Sequence, residues 1–234
     1  MTSPLITLSV LAAVSFQDPR YDDRGTGEYV YPIGEWYERG QFDLRQLRVE
    51  RDGDDVVFTV RMDQPFVKPS RIQLTEHRAL NFESEIYLQN IDIYIDTSPA
   101  LGETQGVPGR NVQFRPQEAW DRLIILTPQP YLVRQSIRNW KPNAQWAAPD
   151  TVRSRGQEVW VRVPASWLGG LPEESWGYQV VVTGALLEPN FEVFDRVTNA
   201  RLMNALTIPV FGVAEVQAFG GGALDNRQPR AVDI

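Results

Sequence analysis

Three carboxylates fall within a short run near the N-terminus: Asp18, Asp22 and Asp23, followed by glycines at 25 and 27. Carboxylates this close repel one another unless something neutralises them. A hard cation bound by oxygen is the natural neutraliser, because Ca²⁺ takes several carboxylate and carbonyl oxygens in adaptable geometry. The expected ligand set is Asp18, Asp22 and Asp23, with backbone oxygen around Gly25 and Asp43 completing the shell, and the expected role is structural. The competing reading is a solvated acidic loop with Arg20 and Arg24 as counter-charges.

A second group of residues could bind rather than react. Trp140 and Trp146 lie in a proline-rich stretch with Asn139, Lys141, Asn143 and Gln145. Flat indole faces suit the apolar faces of pyranose rings, and neighbouring amides fix orientation by hydrogen bonding. Trp140, Trp146 and Asn143 are therefore the candidate ligand-binding residues. The alternative is that the two tryptophans lid the core. Trp120, Trp160, Trp167 and Trp176 sit beside apolar strand patterns and are expected in the core.

Other chemistries find little support. His77 is the one histidine, so a Ser-His-Asp relay has no other His to use, and a two-histidine metal site is impossible. The absence of cysteine removes thiol nucleophiles, disulfides and Cys-ligated metals. No nucleophile elbow and no phosphate-binding glycine loop occurs. A glycosidase needs two carboxylates, but with 30 Asp and Glu in the chain their presence carries no information. No catalytic residue is assigned and no enzymatic activity is expected. A net charge of −7 disfavours nucleic acid and anionic lipid as partners.

The elements that must position these residues are strands. The 17 prolines and 17 glycines imply many turns, as in an all-β chain. Residues 43–62 alternate about Asp52-Gly53, a hairpin signature. In residues 86–96, Ile91, Ile93 and Ile95 alternate with Asp92, Tyr94 and Asp96, so the isoleucines are assigned to the core. Strands are also expected at Leu123–Leu126, at Val159–Val163 and at Tyr178–Thr183, with one helical turn at Ala165–Leu168. Residues 185–218 should supply one or two more strands. Residues 63–82, 97–118 and 128–150, rich in proline, are expected as loops. No linker or repeat divides the chain.

Leu5 to Val14 is apolar, and Ala13-Val14-Ser15 resembles a small-residue cleavage site, so residues 1–15 are taken as a signal-like or anchor-like segment. The run is too short to span a bilayer. The alternation of Ile6, Leu8 and Val10 permits a first β-strand instead.

The order of motifs carries a resemblance. Asp18-Pro19, Asp22-Asp23, Gly25, Gly27 and Tyr31-Pro32 lead to Gly40 and Phe42-Asp43-Leu44. IDIYID at 91–96, PGRN at 108–111 and AWD at 119–121 follow. VPASWLGG at 163–170, WGYQVVVTG at 176–184, FGGG at 219–222 and the closing AVDI complete the series. From Phe16 to Ile234 this resembles the C-terminal domain family of glucodextranase. That resemblance implies a single antiparallel, DOMON-like and jelly-roll-like β-sandwich over residues 16–234, akin to carbohydrate-binding modules and non-catalytic. It implies an exported protein, periplasmic or extracellular, whose partner is a glycan. Because such modules usually accompany other domains, the second expectation is a structural accessory subunit docking on a larger envelope complex. Its contacts would be Tyr131, Arg134, Arg138, Trp140, Trp146 and Arg153. Some DOMON-like domains bind haem through Met with His or Lys. Met62, His77 and Lys141 are present here, but nothing else marks a haem pocket, and haem is not expected.

Overall fold

The computed structural model describes residues 13–21, 23, 38–66, 72–75, 84–86, 88–98, 102–108, 110, 112–128, 130–184, 192–195, 201–204 and 232–233. These form a β-sandwich. The first sheet runs in the order β1 (Val14–Gln17), β2 (Leu44–Asp52), β3 (Asp55–Met62), β9 (Glu158–Pro164), β8 (Arg153–Arg155). The second runs β13 (Val232–Asp233), β10 (Gly177–Gly184), β5 (Gln89–Asp96), β6 (Arg122–Leu126), β7 (Gln145–Ala147). A small third sheet joins β4 (Ile72–Thr75), β11 (Glu192–Asp195) and β12 (Arg201–Asn204). The pairings are antiparallel throughout the two large sheets except for the edge pair β6–β7, which is parallel.

Alternation builds the core between the two large sheets. Val56, Phe58 and Val60 of β3 and Val159, Val161 and Val163 of β9 point into it from one side. Ile91, Ile93 and Ile95 of β5, with Val180 and Val182 of β10, meet them from the other. Each side chain fully removed from water here contributes about 1.5–3 kcal/mol. Two hairpins fix the register of the first sheet. Gly53 (φ 66°) and Gly156 (φ 61°) each occupy the first position of a two-residue loop, the conformation a type II′ turn demands of that position. The helical turn expected at Ala165–Leu168 is present as α2, and the strands expected in residues 185–218 appear as β11 and β12.

Three expectations need correction. Residues 63–82 are not all loop, since Ile72–Thr75 pairs with β11. Residues 128–150 contain a helix, α1 (Pro130–Ser136), and the edge strand β7. Pro130 at its first position lacks an N–H that the helix would leave unpaired anyway. Trp160 and Trp167 are only partly buried rather than core residues, whereas Trp120 and Trp176 are buried as expected. Trp160 belongs to the face of β9 opposite Val159 and Val161. Val14 and Ser15, the last residues of the apolar N-terminal segment, lie in β1; residues 1–12 are outside the described residues.

The second sheet is buried on both faces. Every residue of β5 from Gln89 to Ile95 is buried. The described residues of 97–118 and 128–150 fold over its outer face and help form a second core, with Val107, Phe114, Trp120, Val133 and Ile137 clustered with Tyr94, Leu123, Ile125 and Val181. The sandwich thus carries a third layer made from segments that look like loops in the sequence.

Candidate functional site: an aromatic row over the second sheet

The third layer is fastened to β5 by polar contacts placed where the sequence alternation puts solvent. Asp92 faces outward from β5, yet it is fully buried, and its Oδ2 accepts a hydrogen bond from Arg110 Nε at 2.7 Å. Burial pushes the Asp92 carboxyl up from its ordinary value, and the Arg110 guanidinium beside it restrains the rise. The hydroxyl of Tyr94 accepts the Val107 N–H at 3.1 Å. Burial, together with the nearby Asp92 charge, raises the Tyr94 phenol well above its ordinary value. A further clamp forms at Asp121, whose carboxylate accepts from the N–H and hydroxyl of Thr97.

On this base three indoles follow one another. The Trp120 ring lies edge-on to Tyr94 with centroids 5.2 Å apart. Trp140 lies 5.9 Å from Trp120, and Trp146 lies 6.2 Å from Trp140. Trp120 is fully buried, while Trp140 and Trp146 are half-buried and pack against the second core. The two tryptophans assigned to a ligand platform therefore stand side by side, at the outer end of a row whose inner end is core. Both sequence readings describe part of them: they cover apolar surface and keep part of their own surface open. Asn143 is exposed, and its backbone N–H donates to Glu103 Oε2 at 3.3 Å. Trp146 also stands opposite Leu123 of β6, which stands opposite Tyr94, which stands opposite Gln179 of β10. These four residues form one cross-strand row about 14 Å long, three strand spacings.

The N-terminal aspartates are placed in part. Asp18 and Asp43 are buried, and Asp23 is half-buried; Asp22 and Gly25 lie outside the described residues. Asp43 Oδ2 accepts the Tyr21 N–H at 2.7 Å, and Tyr21 takes the left-handed conformation (φ 69°) that makes this possible. Arg45 ties the segment down by donating to the Asp18 carbonyl at 2.7 Å. Arg20 pairs with Asp63 at 3.2 Å. The burial of Asp18 and Asp43 departs from a freely solvated acidic loop. Among the described residues no group of three or more His, Cys, Asp or Glu is placed to hold a metal ion. Of the residues weighed as haem ligands, Met62 is buried in the inter-sheet core and Lys141 is exposed, while His77 lies outside the described residues.

The sequence left Arg110 and Asp92 unassigned. Their available signal was the PGRN motif at 108–111 and the aspartate that alternates with isoleucines in IDIYID at 91–96. Among the described residues no helix is long and apolar enough to cross a membrane. No curated protein matches the chain. A family model does match, that of the C-terminal, SLH-like binding module of glucodextranase, over residues 13–234. With every residue from Ala13 onward inside that match, and a two-sheet sandwich of the kind the motif order implies, the chain belongs to the family of glucodextranase C-terminal binding modules.

Proposed function

We propose that this chain is a non-catalytic, exported module of the cell envelope or its surroundings that binds glycan through the outer end of its aromatic row. The observation that carries this reading is the adjacency of Trp140 and Trp146, half-buried at 6.2 Å with exposed Asn143 close by in sequence. Rings held on one side by a packed core lose little freedom on binding, which favours affinity for a flat apolar ligand face. Membership of the family of C-terminal binding modules of glucodextranase supports an α-glucan as the first ligand to try. Titrating intrinsic tryptophan fluorescence with α-glucans and cell-wall glycans tests it. A saturable change with at least one glycan is expected, and a flat response across the panel refutes the reading.

Calcium belongs to this proposal as a stabiliser, with Asp18, Asp22, Asp23, Gly25 and Asp43 as its ligands. Asp18 and Asp43 are buried rather than solvated, and carboxylate oxygens held in the fold are the kind of ligand that Ca²⁺ takes. A cation bound only by the native state raises stability by mass action, so EGTA should lower the melting temperature and Asp22→Ala should abolish that difference. Identical melting with and without EGTA refutes it.

A second reading has its own observation. Tyr131 on α1 is 57% exposed, and Arg138 just beyond the helix is exposed as well, residue types that dominate protein interfaces. Docking of this face on a larger envelope assembly predicts co-purification with that assembly from native membranes in mild detergent. Recovery as a free monomer counts against it.

A further inference from the structure

A hollow of about 240 Å³ opens at the end of the second sheet, away from Trp146. Its walls include Asp96 at the end of β5, Gly177 and Gln179 of β10, Trp120, and Gln117 and Glu118 of the 3-10 turn Pro116–Glu118. We propose that this hollow is a subsite for a single pyranose unit of a neutral glycan, an inference that rests on the glycan-binding reading above.

Gly177 is the first part of the argument. It pairs directly with Asp96 and so lies on the same face of the sheet. Gly177 is the first residue of β10 and is itself exposed, so that part of the wall carries no side chain. No backbone strain requires the glycine, since Gly177 has no positive φ, and an added Cβ would come no closer than 3.5 Å to Asp96. With no Cβ at Gly177 the hollow stays open beside Asp96, and a ligand can approach the backbone there.

The chemistry of the walls selects the ligand. Asp96 Oδ1 accepts the Ser98 N–H at 3.0 Å, which orients its carboxyl group. Glu118 pairs with the exposed Arg115 at 3.6 Å. Gln117 and Gln179 add amide donors and acceptors. Among the described residues no lysine or arginine lines the hollow, and its two carboxylates, Asp96 and Glu118, disfavour phosphate and other anions. Trp120 is almost fully buried behind the hollow and spends its one N–H on the Gln105 carbonyl at 3.3 Å, so it offers the hollow no donor. Carboxylates and amides that hydrogen-bond hydroxyl groups are complementary to the hydroxyls of a neutral sugar ring. The volume lies below the roughly 300–1,000 Å³ of drug-sized sites, which leaves room for one ring rather than a chain.

The test uses the full chain, with isomaltotriose and maltotriose as probes and calorimetric titration as the readout. Gly177→Val fills the hollow, and Gln179→Ala removes one of its polar walls. Each should weaken binding at least about tenfold, equivalent to about 1.4 kcal/mol. Gln179 is a partly exposed side chain, so its variant decides the matter if Gly177→Val fails to fold. Binding retained in both variants but lost in Trp146→Ala overturns the hollow and leaves the glycan reading standing. A wild-type protein that binds neither probe nor any glycan of the fluorescence panel overturns both.

Discussion

Asp92 and Arg110 form an ion pair closed to water, Nε to Oδ2 at 2.7 Å, between β5 and the segment that covers it. Removing one member of such a pair strands the other charge in the interior. Asp92→Asn and Arg110→Met should therefore each lower the unfolding free energy by about 3–5 kcal/mol. Urea denaturation monitored by tryptophan fluorescence measures this. The double variant Asp92→Leu/Arg110→Met should recover most of the loss, because a buried pair replaced by apolar groups is often neutral in stability. A double variant as unstable as the singles would show that the pair contributes something packing cannot supply.

Alkaline pH should unfold this protein early. Burial raises the phenol of Tyr178, which sits in the inter-sheet core against Phe16 and Phe58, and Tyr94 is raised well above its ordinary value on the other face. Both titrate in the unfolded chain near pH 10. Above that pH the native state holds more protons than the unfolded one, so stability falls as pH rises. Well below pH 9 the two contribute no slope. The Tyr178 hydroxyl has no hydrogen-bond partner among the described residues, so Tyr178→Phe should be neutral or stabilising by about 1 kcal/mol and should flatten the decline between pH 9 and 11, a range set by that ordinary tyrosine value. Melting temperatures measured across that range check it.

Trp140 and Trp146 should separate stability from binding. Trp140 stands between two rings, at 5.9 and 6.2 Å, and its loss opens the row to water. Trp140→Ala should cost about 2–3 kcal/mol, below the range for a fully buried tryptophan. Trp146→Ala ends the row one ring earlier and should reduce glycan affinity with a smaller effect on melting. Paired denaturation and titration of the two variants provide the comparison.

Gly53→Ala tests the hairpin alone. Its φ of 66° costs an L-residue about 1–2 kcal/mol, and no other atom lies near the added Cβ. Stability should fall by that amount while glycan affinity is unchanged, as thermal melts and titration would record.

The inner architecture was legible because it depends on local alternation. The β2–β3 hairpin, the inward isoleucines of β5, the valines of β9 and the turn at Ala165–Leu168 all follow from patterns within ten residues. The third layer was not legible. An aspartate alternating with isoleucines belongs to solvent by pattern alone, and Asp92 stays dry only because Arg110, 18 residues away, folds back onto it. Prolines in residues 128–150 suggested open loop, yet Pro130 begins a helix and Val133 and Ile137 supply its buried side. Trp160 misled in the opposite direction: strand periodicity places it on a face, but says nothing about which face is covered. Of the proposed ligand residues, spacing identified Trp140 and Trp146 as neighbours of polar groups, but their ring contact is a tertiary fact.

The row of indoles also gives this layer an optical identity. Trp120, Trp140 and Trp146 are close enough for their electronic transitions to couple, and coupled indoles produce a circular-dichroism band of their own, distinct from that of the strands. That band depends on ring orientation, so it will vanish when the covering segments lift from β5, even while both sheets remain hydrogen-bonded. Followed during unfolding beside the strand signal, it reports whether the cover detaches first or the protein opens as one unit, and any ligand resting on Trp146 would alter the same band.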